Sequence, residues 1–240
     1  GPGWPTKDGE IVGIAVATDG FKGYFPIAHE RGDNLDPAMT MKWFQKVMAS
    51  DADKICHNAS YDIGWCRASG IKTNGKIIDT MLAGAIIDEN RRGYSLNALS
   101  AEYLGEIKSE VKLREKAEEW GLDAKADLWK LPPSFVGEYA EQDAELTLKL
   151  WRKFETEIKL QNLTSIFEME TKLLPILIEM REHGIRMDMN KAEVMKKTFV
   201  LEEKKKLHEI KGLTGVDVEL WAATSVAKAF DAMKVPYDRT

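Results

Sequence analysis

The sequence predicts an α/β fold in which a mixed sheet lies between two layers of helices. Two apolar runs rich in branched residues, 10–17 and 23–27, are separated by a turn and have the pattern of a β-hairpin. Two shorter apolar runs, 54–57 and 76–78, are each followed at once by a helical pattern. A hairpin followed by strands that alternate with helices is typical of a three-layer domain built on a mixed sheet.

The helices are predicted from the residues at their ends. Asp36 supplies an N-cap for the first helix, and Ser95 caps another helix that Gly105 ends. Asp79 also precedes a helix directly, which favours an N-cap role over metal ligation for this acid. The longest helix begins after residue 133 and continues to about residue 159, with apolar residues at steps of three and four.

A change in composition near residue 160 indicates two parts. Residues 1–160 contain every predicted strand, whereas residues 161–240 are helical and rich in charge apart from a short extended piece at 184–188. We therefore expect one α/β domain over residues 1–160 and the beginning of a second, mainly helical domain over residues 161–240.

Composition excludes some classes of protein and leaves others open. The 240 residues are 44% hydrophobic and 30% charged and include only two cysteines, which is typical of a globular chain in a reducing compartment such as the cytoplasm. No run of eighteen apolar residues occurs, so we expect no membrane span. The net charge of -5 argues against a molecule that binds nucleic acid over its whole surface, but not against a local site. We expect a monomer.

Two acids occupy positions where an acid needs an explanation. Asp143 lies on the apolar stripe of the longest helix, one turn after Tyr139. A carboxylate facing a core needs a metal ion, an arginine or a backbone cap to satisfy it. Asp62 lies in the first turn of the helix that follows strand 54–57, at the kind of strand end where α/β sheets bind ligands. Ordinary helix-dipole chemistry would also explain Asp62, so spacing alone leaves both interpretations open.

Taken together, these segments resemble a known family. The stretch from His57 to Asp62 resembles the second motif of the DEDD-type 3′→5′ exonucleases, specifically the RNase H-like proofreading domain of family A (Pol I-like) DNA polymerases. Tyr139 and Asp143 match the third motif, tyrosine-x-x-x-aspartate, of the tyrosine-bearing branch. Segments 78–83 and 95–105 are similar to the strand and helix between these motifs. Residues 170–188 are similar to the segment that opens the polymerase region, and residues 213–240 resemble the next part of its thumb. The resemblance covers nearly the whole chain in the correct order.

The resemblance implies hydrolysis of a phosphodiester bond at a site with two metal ions, Mg²⁺ or Mn²⁺. Asp143 would ligate the metal that activates water, and Asp62 would help to hold the second metal. The hydroxyl of Tyr139 would orient the attacking water. The spacing of Tyr139 and Asp143 places both side chains on one face of their helix, as this arrangement requires.

The same resemblance implies the substrate and the partners. The substrate would be the 3′ end of single-stranded DNA, with Asn58 near the terminal nucleotide. Arg91 and Arg92 are candidate phosphate contacts, although two solvated loop residues are the alternative. The partner would be the remainder of a polymerase chain, because the sequence ends before any palm or fingers segment. Its location would be the bacterial nucleoid or, for a viral protein, the host cytoplasm.

The sequence departs from the family at its first motif, aspartate-x-glutamate. The strand that carries this motif would precede residues 11–17 and lie inside the sheet, and we do not find it. Asp8 and Glu10 fit the motif as letters, but Asp8 follows a segment rich in glycine and proline and lies at a turn. Because a two-metal site needs about four carboxylates, we expect impaired catalysis. The alternative is a DNA-binding or structural platform without catalytic activity.

Overall fold

A computed structural model describes residue 5 and residues 9–106, 111–124 and 126–237. The chain divides into two compact units, Gly1–His183 and Gly184–Thr240. The helix that follows residue 160 in the sequence, Thr164–His183, therefore belongs to the first unit. A functional boundary at residues 160–161 stays a prediction.

The described residues form four strands and nine α-helices, and the mixture of both confirms the predicted α/β class. In chain order they are β1 (Gly13–Thr18), β2 (Phe21–Pro26), α1 (Pro37–Met48), β3 (Lys54–Cys56), α2 (Ala59–Ala68), β4 (Ile77–Asp79), α3 (Thr80–Ile87), α4 (Leu96–Leu104), α5 (Val111–Glu119), α6 (Pro133–Leu160), α7 (Thr164–His183), α8 (Met189–Thr214) and α9 (Ala223–Met233). A short 3-10 helix, Leu128–Lys130, lies before α6.

The strands form two separate pairs. β1 and β2 are antiparallel, with Gly13 opposite Pro26, and they form the predicted hairpin. β3 and β4 are parallel, with Cys56 opposite Asp79. Among the described residues no strand joins the two pairs, although α6 packs against both β1 and β3. The pairing is therefore mixed, as predicted, but it is divided between two two-stranded sheets.

Helix α6 is the central element of the first unit. Its buried face includes Leu146, Leu150 and Phe154, which are at most 1% exposed. The ring of Phe154 meets that of Tyr103 of α4 edge to face, with the ring centroids 4.9 Å apart. Burial of this apolar stripe stabilises the position of α6 over the strands, and α6 carries the predicted Tyr139 and Asp143.

The sequence did not predict α5. This helix is mostly charged, and among its described side chains only Leu113 and Ala117, about one turn apart, are buried. Both pack with Leu131 and Val136 at the beginning of α6. Because only two apolar positions face the core, the periodic signal was too weak to distinguish α5 from a charged loop.

The second unit is helical. Asp188 caps α8 by accepting a hydrogen bond from the backbone N–H of Lys191, and Gly215 ends the helix in the left-handed conformation. Lys211 forms an ion pair with Asp217, just beyond that end. Within the described ranges, no helix combines the length and the apolar character needed to cross a bilayer.

Candidate active site

Asp62 lies in the first turn of α2, directly after β3. The pKa of its carboxyl is raised to about 7, chiefly because the surrounding protein removes water from it and also because the carboxylate of Asp79 is near. The residue is nevertheless exposed to solvent, at the N-terminal end of α2. A cation could approach this carboxylate from solution.

Asn58 lies one turn before Asp62 and is the N-cap residue of α2. Its backbone is in the left-handed region, with φ of 65°, and its side chain makes no capping hydrogen bond to the helix. Instead, the amide oxygen of Asn58 accepts a hydrogen bond from the hydroxyl of Ser60 at 3.1 Å. The side chain of Asn58 is exposed at the same helix end as Asp62.

Tyr139 and Asp143 lie one turn apart on α6, and both are half-buried. The ring of Tyr139 packs against the cluster formed by the beginning of α6 and α5. The Oδ1 atom of Asp143 is buried, and its backbone carbonyl accepts a hydrogen bond from the hydroxyl of Thr147 at 2.8 Å. The expectation that this acid faces the protein interior agrees with the buried oxygen atom.

The elements that carry Asp62 and Asp143 both border strand β3. Asp62 follows β3 in the chain, and α6, which carries Asp143, packs against β3. Both acids have the oxygen donors that divalent cations prefer. Among the described residues, however, no three His, Cys, Asp or Glu side chains come together as a metal-binding group. The carboxylates of Asp62 and Asp143 thus account for only part of a two-metal site. By themselves they do not define a metal-dependent reaction step.

Comparison with known sequences decides the family. A sequence profile described as "3′-5′ exonuclease", of the family A DNA polymerase type, matches residues 4–159. The chain belongs to this exonuclease family. It is 31% identical over 237 residues to a DNA-directed DNA polymerase of Pseudomonas phage M6, covering 96% of this chain and 36% of the relative. It is 28% identical to DNA polymerase I of Rhizobium leguminosarum over 178 residues, which are 69% of this chain and 17% of the relative.

Solved structures agree on the fold of the exonuclease chain. The structure titled "POL domain of Pol1 from M. smegmatis complex with DNA primer-template and dNTP" matches 96% of the chain and 36% of that structure, with a TM-score of 0.66 and 17% identity. A structure titled "apo form of the nuclease" matches 71% of the chain and 75% of that structure, with a TM-score of 0.52 and 19% identity. The chain spans about a third of the length of the phage polymerase it matches.

The Asp8–Glu10 segment is described only in part. Asp8 is outside the described residues, and Glu10 is exposed. Gly9 lies against the ring of Trp65, so close that a Cβ at residue 9 would be 2.4 Å from a ring carbon. Trp65 is in α2, one turn after Asp62. That this segment does not supply the acids of the first motif stays a prediction.

The two arginines before α4 have different environments. Arg91 forms an ion pair with Glu102 of α4 and lies over the ring of Tyr103, 5.5 Å from its centroid. The hydrogen bond that Arg91 donates to the carboxylate of Glu102 raises the pKa of Arg91, and only 11% of the Arg91 side chain is exposed. Arg92 is exposed. The geometry therefore favours Arg92 as the phosphate contact, since Arg91 already binds α4; both roles stay predictions.

The contacts that hold α6 on the hairpin were not predicted from the sequence. The backbone N–H of Tyr24 donates to the carboxylate of Glu141 at 3.1 Å, and Lys22 donates to Glu145 at 2.5 Å. Glu141 and Glu145 are one turn apart on α6, and Glu141 lies next to Tyr139 and Asp143 in sequence. The sequence shows that Glu141 and Glu145 share one face of the helix. Their partners on β2 could not be predicted, because those contacts depend on tertiary packing.

Proposed function

We propose that this chain is the 3′→5′ exonuclease region of a DNA-replicating family A polymerase and removes nucleotides from a frayed 3′ end of single-stranded DNA. The observation that carries the proposal is the location of Asp62, a solvent-exposed acid of raised pKa in the first turn of α2, directly after β3. Membership of the chain in the exonuclease family supports phosphodiester hydrolysis as the chemistry in which this acid takes part. The longer polymerase chain is the proposed partner, since the phage relative extends well beyond the matched region.

Each residue of the candidate site has a proposed role. Asp62 and Asp143 would hold Mg²⁺ or Mn²⁺, which when bound would stabilise the charge on the phosphate during hydrolysis. The hydroxyl of Tyr139 would orient the attacking water. Arg92 would contact a phosphate of the strand, and the exposed side chain of Asn58 would lie beside the terminal nucleotide.

We propose that hydrolysis by this chain alone is impaired. The described residues supply two of the roughly four carboxylates that a two-metal site needs. The same observation supports the second candidate function, a platform that binds DNA or supports a polymerase domain without cutting. The two functions make opposite predictions for a 3′-end degradation assay.

The experiment follows a single-stranded oligonucleotide labelled at its 5′ end, incubated with the protein and Mn²⁺. Three variants are compared with the unchanged chain: Asp143→Asn, Asp62→Asn and Tyr139→Phe. Glu138→Gln is the matched control, because residue 138 is an exposed acid on the same helix. Binding of the same oligonucleotide is measured by fluorescence anisotropy in parallel.

A ladder that shortens from the 3′ end and is lost in the Asp143→Asn and Asp62→Asn variants, but kept in Glu138→Gln, would support the exonuclease. Tyr139→Phe should retain the fold and slow the reaction by about 10–1,000-fold, the range for loss of one positioned polar group in an active site. Binding without cleavage in every protein would favour the platform. If the chain neither binds nor cleaves the oligonucleotide, both functions are excluded for it.

A further inference from the structure

Two buried residues at the junction of β4 and α3 lie beside the segment that leads into α2. Asp79 ends β4 and Thr80 begins α3, and the two residues are 6% and 0% exposed. Because β3 and β4 are parallel and Cys56 is opposite Asp79, this junction lies next to the residues that follow β3. Both junction residues therefore face the start of the candidate site.

The carboxylate of Asp79 binds the beginnings of two helices at once. Its Oδ1 atom accepts hydrogen bonds from the backbone N–H groups of Met81 and Asn58, each at 2.9 Å. Its Oδ2 atom accepts one from the backbone N–H of Ala59 at 2.8 Å. The bond from Met81 is the predicted N-cap of α3. The other two come from residues 20 and 21 positions away in the sequence, and an N-cap alone does not require them.

Thr80 extends the same set of contacts. Its hydroxyl donates to the backbone carbonyl of Cys56 at 3.1 Å. The same oxygen lies 2.9 Å from Nδ1 of His57. Since the hydroxyl hydrogen is already donated, Nδ1 of His57 is the donor in this second bond. Asp79 and Thr80 together thus hold four consecutive residues, Cys56 to Ala59.

We propose that Asp79 is a positioning residue, which with Thr80 fixes the backbone of Cys56–Ala59 and so the direction in which α2 presents Asp62. The backbone of Asn58 is in the left-handed region, and its side chain does not cap α2. Its conformation therefore depends on an acceptor from another part of the chain, which is the carboxylate of Asp79. Ala59 is fully buried, so its N–H has no access to water if Asp79 is removed. The inference rests on the proposed function only for the role of Asp62.

The experiment separates the two tasks of Asp79 by substitution. Asp79→Ser keeps a short acceptor that can cap α3 at Met81 but cannot reach the N–H groups of both Asn58 and Ala59. Asp79→Asn is the milder second variant, in which one oxygen remains and an amide group replaces the other. Asp36→Ser is the matched control, because Asp36 caps α1 through Met39 alone.

Two measurements are made on each protein. Amide hydrogen exchange by NMR reports protection at Asn58 and Ala59, with Met81 as an internal reference. Line broadening by substoichiometric Mn²⁺ reports whether the ion still binds next to Asp62, and it does not require cleavage. We expect Asp79→Ser to lower protection at both amides at least tenfold, to keep protection at Met81, and to weaken the broadening at Asp62. Asp36→Ser should change none of these.

Failure of the positioning inference and failure of the proposed metal site give different results. Unchanged protection at Asn58 and Ala59 in both Asp79 variants would overturn the inference, and so would lost protection with unchanged Mn²⁺ broadening at Asp62. If the unchanged chain shows no broadening at Asp62, the proposed metal site fails. The positioning role of Asp79 is then decided by two observations: the exchange protection of the Asn58 and Ala59 amides, and the amide chemical shifts of the first turn of α2. These chemical shifts must change in Asp79→Ser and remain unchanged in Asp36→Ser.

Discussion

The imidazole of His29 donates a hydrogen bond from Nδ1 to the backbone carbonyl of Leu131 at 2.7 Å, and this bond joins the end of the hairpin to the beginning of α6. Because a carbonyl only accepts, the proton is on Nδ1, and Nε2 of the neutral ring accepts from the hydroxyl of Tyr24 at 2.7 Å. His29 is 5% exposed, and burial lowers its pKa, against the opposing effect of the Leu131 bond.

We expect His29 to make the fold sensitive to acid. Since its folded pKa lies below the ordinary value of 6.5, the unfolded chain binds the extra proton more readily. The stability that neutral His29 contributes is complete above about pH 6.5 and decreases as the pH falls through that value. The drop in melting temperature between pH 7.5 and pH 5.5 should therefore be smaller in His29→Gln than in the unchanged chain. His183→Gln, which replaces an exposed histidine, should keep the full drop; an equal drop in all three proteins would contradict this account.

Phe154 should be a major source of stability in the first unit. It is fully buried, and its ring packs edge to face on Tyr103. We expect Phe154→Ala to lower the free energy of unfolding by about 3–5 kcal/mol, because it removes a large apolar side chain and leaves a cavity. Leu160→Ala, on the same helix but at a position 71% exposed, should change it by less than about 0.5 kcal/mol in urea unfolding. Similar losses for both variants would mean that α6 is not packed as described.

Local chemistry explains which parts of the fold were predictable. Asp36, Asp79 and Ser95 cap helices as predicted, because an N-cap depends on a few neighbouring residues. The division into two strand pairs was not predictable, since pairing depends on distant segments. The helix α5 was missed because, of the α5 side chains that the structure describes, only Leu113 and Ala117 are buried.

The candidate site was predictable only in part. Spacing placed Asp143 towards the interior and Asp62 at a strand end, but their assignment to one exonuclease site came from resemblance. The bonds from Asn58 and Ala59 to Asp79 follow from the register of β3 with β4, which a single sequence does not show. The candidate residues were thus found from sequence motifs, whereas the hydrogen bonds that position them were found only in the tertiary structure.

Substitutions at Asn58 should separate its backbone from its side chain. Because φ is 65°, Asn58→Ala should lower the free energy of unfolding by about 1 kcal/mol, whereas Asn58→Gly should be nearly neutral. Both variants lose the side chain that we place beside the terminal nucleotide. Oligonucleotide binding measured by anisotropy should therefore weaken equally in both. If binding instead follows stability, the side chain of Asn58 does not contact DNA.

Asp62 should oppose folding at alkaline pH when no divalent cation is present. Its folded pKa of about 7 is above the ordinary value of 3.8, so the folded protein holds the proton more tightly than the unfolded chain. The stability gained from this proton is complete below about pH 3.8 and is lost as the pH rises through about 7. An ionised Asp62 then remains partly desolvated and near the carboxylate of Asp79. We expect Asp62→Asn, which cannot ionise, to raise the melting temperature at pH 8.5 and to raise it less at pH 5.5, in buffer containing EDTA.

The control for this pH dependence is Asp33→Asn, an exposed acid in the loop before α1, which should give the same small change at both pH values. Equal stabilisation by Asp62→Asn at pH 5.5 and pH 8.5 would show that the effect comes from packing and not from charge. Replacing EDTA with Mn²⁺ should reverse the comparison at pH 8.5 if Asp62 ligates the ion, because only the carboxylate gains a cation that binds the folded state. Asp62→Asn would then melt below the unchanged chain, and a persistent advantage of the variant in Mn²⁺ would argue against Asp62 as a metal ligand.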